Sequence, residues 1–240
     1  MSMSLHIAFA GFRHGHIFDL LQRCQSGEGI EVVALGEENF DASLMGSKGL
    51  KATHADIGAM IKESGCNAVA IGDCYGKRGA IAVPALKAGK HVIADKPICI
   101  TLRELDAIRD LVAGGGPRVG LMLDLRDSAA MRTLRSLVGA GKIGEPQTVC
   151  FAGQHPLLLG TRPKWYFEPG MHGGTINDIG IHAIDLIPWL TGKKIEAIVG
   201  ARAWNAKAKD FPHFKDCAQF QLGLQGGGGV IGDVSYLGPD

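Results

Sequence analysis

The chain has 240 residues, enough to bury a core and to form two domains. Hydrophobic residues make up 46% and charged residues 20%, a balance that excludes a disordered chain. Lys plus Arg (25) against Asp plus Glu (24) leaves a net charge of +1, so there is no electrostatic case for nucleic acid or an acidic membrane surface as partner.

The first half alternates strands and helices. LHIAFAG (5–11) is a short apolar strand, HIFDLLQRC (16–24) has helical spacing, and EVVALG (31–36) is a second strand. A loop-rich stretch leads to the helix DIGAMIKES (56–64). NAVAIGD (67–73) is a third strand, GAIAVPALKAG (79–89) a helix with a glycine stop, and HVIAD (91–95) a fourth strand. TLRELDAIRDLVAGGG (101–116) is a helix with Thr101 as N-cap, Glu104 three residues on, and glycines at its end. RVGLML (118–123) is a fifth strand. Strands apolar on both faces and separated by helices predict a parallel sheet covered on both sides, a doubly wound α/β domain over 1–123.

The second half, 124–240, changes pattern. SAAMRTLRSLVGAG (128–141) is a helix and TVCFAGQ (148–154) a strand. A long loop and an apolar helix over 173–190 follow, then strands at 195–204, 218–224 and 230–236. Consecutive strands with short links predict an α+β domain with a predominantly antiparallel sheet. No segment is apolar over the length of a membrane span, and the N-terminus lacks the pattern of a signal peptide. The six cysteines form no C-x-x-C pair, as expected of reduced thiols in a cytoplasmic protein.

The first strand ends in Gly11-Phe12-Arg13-His14-Gly15, which then opens a helix. A glycine at a strand end allows a tight turn, and a helix N-terminus aims N–H groups at a phosphate, so this turn is a candidate dinucleotide site. A full G-x-G-x-x-G would need glycine where Arg13 and His16 stand. Glu37 ends the second strand at the place of the acid that accepts ribose hydroxyls; with Glu38 beside it, NAD is favoured over NADP. The plainer alternative is an ordinary turn with solvated acids.

GGTINDIGIHAIDLIPWL (173–190) raises a different question. Asp178, His182 and Asp185 lie at i, i+4 and i+7, on one face of a helix otherwise built of Ile, Leu and Ala. Buried charge is costly unless paired or used. Asp178, one turn before His182, is placed to orient it as a general base. Two other readings stay open: a structural Asp–His brace, and a metal site, which lacks a second His at ligand spacing and is not expected. ADKPICIT (94–101) sets Lys96 at the carboxyl end of the fourth strand, the edge where open α/β sheets bind ligands.

AFAG, ALKAGKHVIADKPICIT and GGTINDIGIHAIDLIPWLTG together resemble the Gfo/Idh/MocA family of glucose-fructose oxidoreductase and inositol dehydrogenase type, with KIGEP (142–146) at the entry to the second domain. The resemblance covers essentially the whole chain. It implies a nicotinamide-binding Rossmann domain followed by an open sheet that joins copies into homodimers or homotetramers. It further implies that Lys96 contacts cofactor and substrate, that His182 is catalytic with Asp178 before it, and that Asp95 replaces the family's glutamate. Gly72 and Asp73 then border the cofactor, and Arg126, Trp165 and His172 lie toward the substrate. Departures are the two missing glycines, the loop GDCYGKR without the family's threonine-proline and histidine, and an end at Asp240, well before most members end. The second sheet is therefore expected to lack its last strands. The expected activity is NAD-dependent hydride transfer from a sugar, cyclitol or related polyol. The rivals are a hydrolase or lyase that retains its NAD, distinguished by the absence of net NADH release, and a non-catalytic dinucleotide-binding regulator or scaffold, distinguished by binding without turnover.

Overall fold

Five apolar runs of the first half become five parallel strands: β1 (Leu5–Phe12), β2 (Ile30–Gly36), β3 (Ala68–Gly72), β4 (His91–Asp95) and β5 (Val119–Met122). Their order is β2-β1-β3-β4-β5. The computed structural model describes residues 4–239, in two compact units that part between Met122 and Leu123.

Helices α1 (His16–Ser26), α2 (Ile57–Glu63), α3 (Tyr75–Lys87) and α4 (Leu102–Ala113) cover the first sheet. Side chains along a strand alternate between faces, and β1 uses this to feed two cores. Ile7 and Phe9 pack with Ile17 and Leu21 of α1, whereas Ala8 and Ala10 pack with Met60, Leu86 and Ile108 of the other three helices. Gly11 interrupts the alternation with φ of +73°, which returns Phe12 to the side of Phe9. Helix α3 starts four residues before the apolar run that announced it, at Tyr75. Its first turn, YGKR, reads as loop in isolation, yet it brings Arg78 into phase with the buried Ala82 and Ala85.

In the second unit α5 (Ala129–Gly139) precedes β6 (Thr148–Pro156). Then come a π-helical turn (Ile176–Gly180), α6 (Ile181–Thr191), β7 (Ile195–Trp204), β8 (Cys217–Leu224) and β9 (Gly229–Gly238). The sheet order is β6-β9-β8-β7. Two of its pairings are antiparallel, as expected, and β6 with β9 is parallel, because the chain leaves after β6 and returns only by way of the helix. In β8 and β9 buried and exposed residues alternate, giving one covered and one open face.

The apolar stretch 173–190 is not one buried α-helix. Its first part is π-helical, and Ile184 is 43% exposed. The π turn changes the angle at which Asp178 stands to His182 and Asp185 from the one α-helical spacing predicts. Gly180 closes this turn under Phe220: a Cβ there would lie 3.1 Å from the ring. Among the described residues no helix is long and apolar enough to cross a membrane.

Candidate functional site

At the carboxyl end of β1, Gly11 is required by both conformation and space. Its φ is +73°, and a Cβ would meet Asp73 Cβ at 2.5 Å and Cα at 2.9 Å. The N–H groups of Arg13 and His14 donate to the Gly72 carbonyl at 3.2 and 3.0 Å, tying the turn to the end of β3. Gly15 then caps α1 without any side-chain hydrogen bond, and nothing lies within 4 Å of where its Cβ would stand. The start of α1 therefore has open space over N–H groups that no side chain caps, an arrangement that fits a phosphate. Phe12 contributes only its N–H to this region; its ring is buried against Phe9 and Phe18.

Glu37 is buried, and its carboxylate accepts the Phe12 N–H at 2.8 Å and the Asn39 N–H at 2.9 Å. It laces the end of β2 to the end of β1. Burial pushes the Glu37 carboxyl above its ordinary range, and the two hydrogen bonds offset this only in part. Asp73 is buried as well and accepts the Cys74 N–H at 2.6 Å. The adjoining Cys74 thiol is pushed up to about 12, first by burial and then by the Asp73 charge, which leaves it inert.

Asp95 is the hub of this edge. It is fully buried, with Arg78 Nη2 at 3.0 Å from Oδ2, His14 Nδ1 against the same oxygen and His16 Nδ1 at 3.2 Å from Oδ1. Burial alone would raise its carboxyl; the hydrogen bonds of the two imidazoles and the Arg78 charge outweigh burial and hold it far below the usual carboxylate range. Burial lowers the His14 imidazole, against the pull of Asp95.

Arg78, fully buried, also donates to the carbonyls of Asp73 (2.7 Å), Asp95 (2.9 Å), Lys96 (2.7 Å) and Pro97 (3.2 Å), and lies over the Tyr75 ring. The backbone that carries Lys96 is thus held by one guanidinium, and the Lys96–Pro97 peptide is cis. Lys96 itself is 3% exposed, so it is not a lysine reaching over the surface.

The second unit gathers a separate network. Asp178 is 3% exposed and its Oδ2 accepts the Tyr236 hydroxyl from β9. His172 Nε2 lies 3.0 Å from the same hydroxyl oxygen and 3.5 Å from Asp178 Oδ2, while its Nδ1 accepts the Gly174 N–H at 3.2 Å. With Nδ1 accepting, Nε2 is the nitrogen that bears hydrogen. A directed chain then runs from the Gly174 amide through His172 and Tyr236 to Asp178. His182 sits partly buried in the first turn of α6. Asp185 does not extend this network: both its oxygens are taken by the fork of Arg126, with Nε at 2.6 Å from Oδ2. Arg126, expected on the substrate side, is committed to that acid. Trp165 is buried with its ring against Tyr166 at 4.1 Å between centroids, a packing position.

Of the residues singled out in the sequence, Gly11, His14, Gly72, Asp73 and Asp95 meet at one sheet edge, and His172 and Asp178 meet in one network. Three residues were missed. Arg78 had a detectable signal in its helical phase with Ala82 and Ala85. His16 stood only as a lost glycine. Tyr236 lies 58 residues from Asp178 and gave no local sign. Among the described residues one trio has the donors for a metal ion, His14, His16 and Asp95, and none of the three is on the 173–190 segment.

Comparison with known proteins finds two adjoining matches. Residues 6–121 match the family model described as "Oxidoreductase family, NAD-binding Rossmann fold", and residues 131–239 the one described as "GFO/IDH/MocA C-terminal domain". Glucose-fructose oxidoreductase domain-containing protein 1 of Mus musculus is 33% identical over 159 residues, 61% of this chain and 39% of that protein. Inositol 2-dehydrogenase of Serratia proteamaculans is 27% identical over 208 residues, 82% of this chain and 58% of that protein. The chain thus matches well under two thirds of either relative's length. The fold is similar to that of scyllo-inositol dehydrogenase from Lactobacillus casei with bound cofactor NAD(H) and scyllo-inositol. There the TM-score is 0.78 at 22% identity, over 97% of this chain and 69% of that one.

Proposed function

Because the chain belongs to the Gfo/Idh/MocA oxidoreductase family, we propose that it oxidises a secondary alcohol of a sugar, cyclitol or related polyol with NAD. The observation that carries this reading is Asp178, a carboxylate 3% exposed and held by a hydroxyl and an imidazole, one turn before His182. The same families of fold and names among the relatives support the substrate class.

Gly11, Gly15, Gly72 and the start of α1 hold the pyrophosphate, and Glu37 with Glu38 disfavours a 2′-phosphate. When bound, NAD supplies the hydride acceptor. His182 takes the proton of the carbinol hydroxyl at an imidazole nitrogen. Lys96 is the first unit's candidate for contact with the cofactor, and in the second unit Asp178 orients His182 and stabilises the positive charge it gains. With NAD held there, the carbinol would lose its hydride to the cofactor and its hydroxyl proton to His182, which would release that proton to solvent. The products are ketone, NADH and one proton.

Two copies associate through the open face of the second sheet, where Ile231 of β9, opposite Gln221 of β8, is 50% exposed. Light scattering should then give at least a dimer. The cysteines of the described residues are all free thiols, in keeping with a reducing cytoplasm. The test of the reading is a panel of sugars and cyclitols with NAD or NADP, followed by nucleotide absorbance. NADH should form with at least one member and faster than NADPH; binding of NAD without turnover across the panel would instead support a regulator or scaffold.

A further inference from the structure

We infer that His14, His16 and Asp95 form a binding site for one divalent ion of the zinc class. Two segments far apart in sequence supply it, since Asp95 lies 79 residues beyond His16. One ligand atom from each residue falls within 4.8 Å of the other two. A tetrahedral ion with bonds of ~2.0–2.1 Å needs its donors about 3.3–3.5 Å apart, so small side-chain adjustments close the set.

The surroundings are arranged as a metal site requires. The Tyr75 hydroxyl lies 3.3 Å from His14 Nε2, which leaves Nδ1 turned toward Asp95 and gives the imidazole an outer partner. Arg78 Nη2 is 3.0 Å from Asp95 Oδ2, while Oδ1 faces His16. His14 Nδ1 shares Oδ2 with Arg78, so Oδ1 is the oxygen free of the guanidinium. The His14 and Asp95 side chains are 13% and 0% exposed, whereas that of His16 is 52% exposed, so an ion enters from the His16 side and keeps a position for water. The His14 and His16 rings stand edge to face with centroids 4.5 Å apart, which keeps the two imidazoles side by side.

Two imidazoles and a single carboxylate select borderline ions, Zn²⁺, Co²⁺ or Ni²⁺, and reject Mg²⁺ and Ca²⁺, which call for more oxygen donors. The Arg78 cation opposes the ion and limits its affinity. The competing explanation is that both imidazoles merely donate N–H to Asp95. It needs no metal, and it predicts no spectroscopic signature from an added ion.

The site stands on side chains of the first unit alone and does not depend on the dehydrogenase reading, so its test uses nucleotide-free protein. The full chain, stripped with chelator and dialysed, is titrated with Co²⁺ while the visible spectrum is followed. One Co²⁺ per chain should bind with the absorption of a low-symmetry, four-coordinate ion, and one equivalent of Zn²⁺, but not excess Mg²⁺, should displace it. His16→Ala, at an exposed position, should abolish the band. Tyr75→Phe should weaken binding by the ~10–100-fold typical of an outer partner. His6→Ala, at an imidazole beside Glu31 at the opposite end of β1, should change nothing. No stoichiometric band in the wild-type chain, an undiminished band in His16→Ala, or an equal loss in His6→Ala would overturn the inference.

Discussion

Asp95 and Asp178 are both buried carboxylates, one in each unit, and they are compensated in different ways. Asp95 faces the fixed cation Arg78, together with His14 and His16. Asp178 faces the Tyr236 hydroxyl and the His172 imidazole, groups that can each donate and accept a proton. A guanidinium does not give up its proton, so it locks a carboxylate in the charged state and turns it into scaffolding. A hydroxyl and an imidazole can relay a proton, which is what an acid beside a general base requires. The difference separates the anion that shapes the cofactor edge from the anion proposed to serve the chemistry.

The strongest way to break this comparison is Arg78→Leu. It leaves Asp95 charged and buried and strips four carbonyls of their donor, so the first unit should lose about 3–5 kcal/mol, the usual result of removing one partner from a buried pair. Denaturant unfolding measures it. Combining it with Asp95→Asn should recover part of the loss, and no recovery would mean that the carbonyl contacts dominate.

Tyr236→Phe comes next. The second unit should lose about 1–3 kcal/mol, because a buried acceptor is left with one donor fewer. Turnover should fall and its pH profile should move, effects that a purely structural tyrosine would not produce.

Arg126→Ala has a smaller expected effect. The Arg126 side chain is 40% exposed, so solvent screens its pair with Asp185 and the cost should be about 1 kcal/mol or less. Since the guanidinium is committed to Asp185, KM for the alcohol should stay within about twofold; a large rise in KM would return Arg126 to the substrate side.

The smallest effect concerns pH. Burial raises the Glu37 carboxyl in the folded chain above its ordinary 4.5. Between 4.5 and that raised value the folded state holds more protons than the unfolded state, so stability is fully present below 4.5 and declines as pH rises through the window. Glu37→Gln should flatten this decline, and an unchanged slope would remove Glu37 as its source.

The same pair of acids shows how much was legible in the sequence. Asp95 stood at the end of an apolar strand before Lys-Pro, and the parallel sheet followed from strands apolar on both faces. Arg78 was hidden by a first turn that reads as loop, and only its helical phase with Ala82 and Ala85 carried a signal. The Asp178–His182–Asp185 face was drawn with α-helical spacing, which the π turn at Ile176–Gly180 does not obey. Tyr236 could not be read at all. Its link to Asp178 depends on how β9 lies against that turn, and no local pattern encodes a contact across 58 residues.

The measurement closest to the central claim is a side-by-side assay of the wild-type chain and His182→Ala on a sugar or cyclitol that supports NADH formation, with NAD binding followed by fluorescence. Turnover in the variant should fall by the ~10²–10⁴-fold that a general base supplies, while NAD binds as before. Equal turnover in the two proteins would contradict the account.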